Sequence, residues 1–149
     1  MRFGTRKLAA VVLLILLVAG LGLWAASRPQ GVCRGHARCF TATVTRIVDG
    51  DTLDVGGQSI RLALVDTPER GALGYQEASD FTAARCPVGS AATVDEDDGQ
   101  TQGSYGRILA KVTCGGVLLN AELVGNGHAV VLSRFCGVSE FADEPWTGC

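Results

Sequence analysis

Histidine is scarce in this chain: His36 and His128 are the only two among 149 residues. Neither sits in a catalytic context, so a histidine-based mechanism is not expected, and His128 reads as a helix-end or surface residue. Positive charge is short as well. Lys+Arg number 13 against 15 Asp+Glu, and only 10 of those cations lie beyond residue 27, which leaves that part of the chain near −5. Such a balance excludes a polyanion binder held by overall charge, because phosphate contacts need Lys or Arg to displace counterions. Any such role must rest on a local cationic site with a bound metal. Internal repeats and low-complexity segments are absent, and the length suits one domain with a real core better than two.

What is present begins with a basic, then apolar, N-terminus. Arg2, Arg6 and Lys7 precede Leu8 to Trp24, a run without a charge, and Ala25-Ala26-Ser27 close it before Arg28. This is the layout of a secretory signal. Its 17 apolar residues are long for a cleaved signal and close to the lower limit for a spanning helix, so cleavage and retention as an anchor both stay open. Either outcome puts the remainder outside the cytoplasm, secreted or held to the membrane through residues 8–24. The division expected is therefore signal or anchor over 1–27, a polar lead-in over 28–39, and the domain proper over 40–149.

Six cysteines follow the signal, at Cys33, Cys39, Cys86, Cys114, Cys136 and Cys149. An even number in an exported chain of this size reads as a disulfide framework, for which six cysteines allow 15 connectivities. The most local pairing is Cys33 with Cys39, Cys86 with Cys114, and Cys136 with Cys149. A metal alternative, Cys33-x2-His36-x2-Cys39, lacks a fourth ligand at zinc-like spacing.

Phe40, Ala42 and Val44 alternate with threonines, a half-buried strand. Asp49-Gly50 turns the chain, Thr52 to Val55 forms the next strand, and Gly56-Gly57 signals a tight hairpin into a third strand over Gln58 to Val65. In that third strand Ile60, Leu62 and Leu64 share one face and Arg61, Ala63 and Val65 the other. A helix is expected over Gln76 to Arg85, with Ala78, Phe81 and Ala84/Arg85 at helical spacing, ended by Cys86-Pro87. Short strands follow at Ala91 to Asp95, Arg107 to Thr113 and Ala129 to Leu132. A second helix spans Val117 to Gly125 with Gly127 near its C-cap, and Ser139 to Glu144 can make a helical turn or two. Asp95-Glu96-Asp97-Asp98-Gly99 reads as a solvated acidic turn, because the twelfth position of an EF-hand loop would be Gly106 instead of a bidentate Glu. Several short strands with little room for parallel crossovers give a mixed α+β, mainly β fold: a five-stranded OB-fold-like barrel with two or three helices, stapled by disulfides.

The chemistry concentrates between Thr43 and Glu69. Two carboxylate-bearing turns, Asp49-Gly50-Asp51-Thr52 and Asp66-Thr67-Pro68-Glu69, bracket a strand that carries Arg61. Each turn alone is ordinary turn or helix-start chemistry. Together they offer the oxygen ligands a hard cation such as calcium takes. Arg61 and Asp66 are five residues apart, about 16 Å along an ideal strand, so their spacing alone does not bring them together.

Val48-Asp49-Gly50-Asp51-Thr52, Arg61 through Glu69, Tyr105-Gly106-Arg107, Leu119-Asn120 and Gly127 follow one another in an order that resembles the staphylococcal nuclease (thermonuclease) family. The resemblance covers about Thr43 to Leu132. It implies an OB-like barrel and calcium-dependent hydrolysis of phosphodiester bonds in DNA and RNA, leaving 3′-phosphates; no protein partner is predicted. It further implies Asp51 and Asp66 as metal carboxylates, the Thr67 carbonyl as a further ligand, and Asp49 nearby in support. By the same resemblance Glu69 orients or deprotonates the attacking water, Arg61 and Arg107 hold the phosphate, and Tyr105 touches the nucleotide. Two late tyrosines of the family's nucleotide pocket fall at Ser133 and Phe135 here, and all six cysteines are additions. Two other functions fit the same residues: a non-catalytic module that binds nucleic acid or protein, and a phosphodiesterase acting on small nucleotides. Loss of a polar residue would favour the first, and chain-length preference would identify the second.

Overall fold

The computed structural model describes residues 33 to 149. The signal or anchor expected over 1–27 lies outside the described residues, as does the lead-in before Cys33. Among the described residues no helix is long and apolar enough to cross a membrane.

Among the described residues, eight strands and two α-helices follow one another: β1 (Cys39–Ile47), β2 (Thr52–Val55), β3 (Gln58–Leu62), β4 (Val65–Asp66), α1 (Tyr75–Arg85), β5 (Ala91–Glu96), β6 (Ile108–Cys114), β7 (Val117–Leu118), α2 (Leu119–Gly125) and β8 (Val130–Val131). Five of them close a barrel in the order β3-β2-β1-β5-β6, with β3 lying parallel to β6 at the seam. β7 extends β6, while β4 and β8 form a separate two-stranded ribbon. Closure requires a strand that turns a corner, and β1 is that strand. Its first half pairs with β5 and its second with β2, and the register slips between Val44 and Arg46, so Thr45 is a bulge at the bend.

Alternation explains the core. Val44, Leu53, Val55, Ile60 and Leu62 point inward and are fully buried with Val94 and Val112, while the threonines of β1 face out. Leu119 and Leu123 of α2 are buried in the same cluster. Gly127 sits in the left-handed region (φ 74°), and its N–H and that of His128 reach back to Val124 and Leu123, which ends α2 in a Schellman motif. α1 begins one residue earlier than its pattern suggests and buries Ala78 and Thr82 instead of Ala84, which is exposed.

Two expectations fail instructively. The third strand stops at Leu62 instead of running to Val65, because Leu64 takes a left-handed conformation (φ 62°) that ordinarily costs about 1–2 kcal/mol. Other contacts offset it. Ala63 N–H donates to Ala110, Leu132 N–H to the Leu64 carbonyl, and the Asn120 amide to the Ala63 carbonyl. Leu64 thereby leaves the Ile60/Leu62 face for a second cluster with Ala63 and Phe141, and Val65 rejoins the barrel core. The acidic stretch is likewise not solvated. Asp95, Glu96 and Asp97 are 1%, 3% and 0% exposed, because β5 runs through to Glu96 and flanking segments dock on these carboxylates. Asp97 accepts from Gly99 and Glu140 backbone N–H groups, Asp98 from those of His36 and Ala37, and Glu96 from Arg38. The tail beyond Cys136 is a series of turns instead of a helix, with Phe141 fully buried.

Three cysteine pairs lie at bonding distance: Cys33–Cys39, Cys86–Cys114 and Cys136–Cys149, with Cα atoms 6.0, 5.4 and 5.7 Å apart. No free cysteine remains among the described residues.

Asn120 is the polar pin of this architecture. Fully buried, it accepts from Val112 N–H at 3.0 Å and donates to the carbonyls of Ala63 (3.0 Å) and Ala110 (3.3 Å), so one side chain joins α2, β6 and the β3–β4 turn. Asn120→Ala strands a buried donor and a buried acceptor, and should lower the unfolding free energy by roughly 3 kcal/mol. Urea denaturation measures this; a loss below 1 kcal/mol would show that the turn holds without it.

Candidate active site

The turn after β1 is fixed from two sides. Thr82 of α1 donates its hydroxyl to the Gly50 carbonyl at 2.6 Å, and a Cβ on Gly50 would stand 2.8 Å from that of Ala78. Glycine at 50 lets the helix rest directly on the turn. That contact holds Asp51 in place, 5% exposed, at the start of β2. One oxygen of Asp51 accepts from the Thr67 backbone N–H (2.8 Å) and hydroxyl (2.9 Å), and the other accepts from the Thr52 hydroxyl at 3.1 Å.

The break in the third strand explains how residues five apart meet. With the chain turned at Ala63-Leu64, the Arg61 guanidinium reaches Asp51 at 3.1 Å and Asp66 at 2.9 Å, and also donates to the carbonyls of Leu62 and Val65. Its side chain is 12% exposed, so the fork is held rigidly between two carboxylates. Arg107 is placed differently. It precedes β6, donates to Ser104's carbonyl (3.1 Å) and hydroxyl (3.4 Å) and to the Thr52 hydroxyl (3.5 Å), and has no carboxylate partner among the described residues. Glu69 is exposed, and its carboxylate makes no hydrogen bond among the described residues.

These groups face one cavity of about 390 Å³, lined by Asp49, Asp51, Arg61, Asp66, Glu69, Tyr105 and Arg107 over an apolar floor of Leu62, Leu64, Leu109 and Leu132. Asp49 holds its proton to higher pH than a free carboxylate, chiefly because it is partly buried and then because Asp51 is beside it. Thr67 alone of the expected residues does not line this cavity; it supports Asp51 from behind. Tyr105 is fully exposed at the rim, in a left-handed turn (φ 52°). Phe135 also lines the wall, whereas Ser133 does not.

The sequence reading passed over three polar lining residues, Gln100, Ser104 and Arg134. Arg134 stacks its guanidinium 4.9 Å from the Phe135 ring, and its place between two positions already compared with the family's tyrosines was the available signal.

The donor set around the cavity is oxygen only, as a hard cation requires. Asp66 engages Arg61 through one oxygen, and Asp51 Oδ1 accepts from a single hydroxyl, so each carboxylate retains acceptor capacity. Two such carboxylates beside an open cavity fit a cation that keeps several waters.

A sequence model described as staphylococcal nuclease homologue matches residues 59–144. The chain belongs to that family. Its match takes in Arg61, Asp66, Glu69 and Arg107, while Asp49 and Asp51 precede it in the turn between β1 and β2, two strands of the same barrel. An uncharacterised protein of Bacillus anthracis is 35% identical over 102 residues, covering 62% of this chain and 47% of that protein. The chain thus spans about half the length of that curated relative.

Proposed function

We propose that this staphylococcal nuclease homologue is an exported, calcium-dependent nuclease that hydrolyses phosphodiester bonds of DNA or RNA to 3′-phosphate products. The observation that carries the reading is the gathering of Asp51, Arg61, Asp66, Glu69 and Arg107 around one cavity from three separate stretches of sequence. Export is supported by the N-terminal pattern and by the three cysteine pairs.

The residues divide the work. Arg107, which has no carboxylate partner among the described residues, can offer its fork to a phosphate, and Arg61 supplies a second, more rigid guanidinium in the wall. Both stabilise the charge that grows on phosphoryl oxygens as a nucleophile adds. Glu69, exposed and uncommitted, is the group able to take a proton from an attacking water. Asp51 and Asp66 would hold calcium, which when bound neutralises phosphate charge that a chain near −5 would otherwise repel. Asp49 backs Asp51 by accepting from the Asp51 backbone N–H at 3.2 Å.

Assay on single-stranded DNA tests the proposal. Cleavage should need calcium, fall to background in chelator, and be poorly restored by zinc, which favours nitrogen and sulfur ligands absent from this cavity. Full activity in chelator would overturn the metal requirement. Tight binding without cleavage under any divalent ion would favour the non-catalytic module.

A further inference from the structure

We propose that Cys33, Cys39 and Asp95 form a second metal site, specific for a thiolate-seeking divalent cation such as zinc, which exists only when the Cys33–Cys39 disulfide is reduced. Both sulfurs and a carboxylate oxygen of Asp95 lie within 4.8 Å of one another. Tetrahedral zinc holds its ligand atoms at about 2.0–2.3 Å from the ion, so the two sulfurs, bonded to each other here, must part before both can ligate it.

Two of these ligands are set beside each other by strand pairing, and hydrogen bonds of the adjoining loop hold the third nearby. Cys39 and Asp95 are direct antiparallel partners across β1 and β5, so their Cβ atoms face each other whatever the redox state. The loop that carries Cys33 is tied down at each step. Arg34 N–H donates to Asp95 at 2.9 Å, His36 and Ala37 N–H groups to Asp98, and the Arg38 side chain to Glu96 at 2.7 Å. Opening the bond therefore leaves two thiols held beside a carboxylate instead of releasing a floppy loop.

Asp95 itself carries the second observation. It is 1% exposed, and its Oδ1 is buried with no hydrogen-bond partner among the described residues. A buried carboxylate oxygen left unpaired is costly, and a cation is one way to satisfy it. Lys111 stands 3.7 Å from the other oxygen. His36 is not among the gathered ligand atoms, so the Cys-x2-His-x2-Cys reading of the loop is replaced by two cysteines and an aspartate, and water would have to complete the coordination.

The chemistry balances. A dithiol reductant gives two electrons and two protons to the Cys33–Cys39 disulfide and becomes a disulfide itself; the divalent ion then displaces the two thiol protons. Cys33 is exposed, so exchange can begin there. The site is independent of the nuclease reading.

Cobalt titration of the full chain tests it, in a Cys136→Ser/Cys149→Ser background so that the tail thiols cannot contribute. Reduction should produce one equivalent of bound Co²⁺ with thiolate charge-transfer absorption, and the oxidised protein should show none. Cys33→Ser/Cys39→Ser should abolish the band. Asp95→Asn should weaken binding by no less than the roughly 10- to 100-fold that loss of a supporting contact costs. Should Asp95→Asn loosen the fold, Cys39→Ser alone, which leaves the Asp95 hydrogen bonds intact, should still lose the band. No band on reduction, an undiminished band in the serine variants, or wild-type affinity in a folded Asp95→Asn protein would overturn the proposal.

Discussion

Glu69→Gln should lower the rate of DNA cleavage by roughly 10²-fold or more and leave the unfolding midpoint where it was. The two halves of that expectation have separate grounds. Glu69 is exposed and its carboxylate makes no hydrogen bond among the described residues, so the fold loses nothing when glutamine of the same shape replaces it. The reaction loses its proton acceptor, which glutamine cannot replace. Arg107→Lys probes the phosphate side of the same cavity. Its present contacts are to Ser104 and to the Thr52 hydroxyl, so stability should again change little, while an ammonium cannot present the bidentate fork. Single-turnover rates and urea midpoints on the same samples decide the matter. A near wild-type rate in both variants would assign the cavity to binding instead of catalysis. Asp51 makes a poorer probe, because it also anchors Thr67 and Thr52, and its removal would disturb the turn that builds the site.

Local chemistry made much of the barrel legible. Thr52 to Val55 and the Gly56-Gly57 hairpin stand where alternation and paired glycines put them, and so does the glycine end of α2. The missed features depend on partners distant in sequence. Nothing in Gln58 to Val65 announces that Leu64 will turn left-handed; the reason lies in Asn120 and Leu132, which take up the carbonyls of that turn. The meeting of Arg61 with Asp66 follows from the break and was equally hidden, although family resemblance placed both residues at one site. The run from Asp95 to Asp98 looked solvated because charge usually is. Asp95 to Asp97 are buried and Asp98 is half-buried, because backbone N–H groups of the lead-in loop and tail, some 40 to 60 residues away, converge on the run. Lys111 shows the same rule: it is 6% exposed, paired with Glu144 and set 4.5 Å from the Phe141 ring.

Removing the Cys86–Cys114 pair should cost more than removing either other pair. The two cysteines are 28 residues apart in sequence, against 6 and 13 for the others, and the chain-entropy model gives about 3 to 4 kcal/mol for a loop of that size. Position reinforces loop length. Both residues are buried in the barrel core, so replacement by alanine also removes packed sulfur. The bond joins the end of α1 to the end of β6, and the loss should therefore reach the cavity. α1 holds the Gly50 turn through Thr82, and β6 begins one residue after Arg107. Cys86→Ala/Cys114→Ala is thus expected to lower both the urea midpoint and the temperature above which cleavage stops. Cys33→Ala/Cys39→Ala should change either one little, because the lead-in loop remains tied to Asp95, Glu96 and Asp98 by hydrogen bonds. If the lead-in pair proves the more costly to remove, the barrel holds α1 by packing alone, and the disulfide framework serves the edges of the domain instead of its centre.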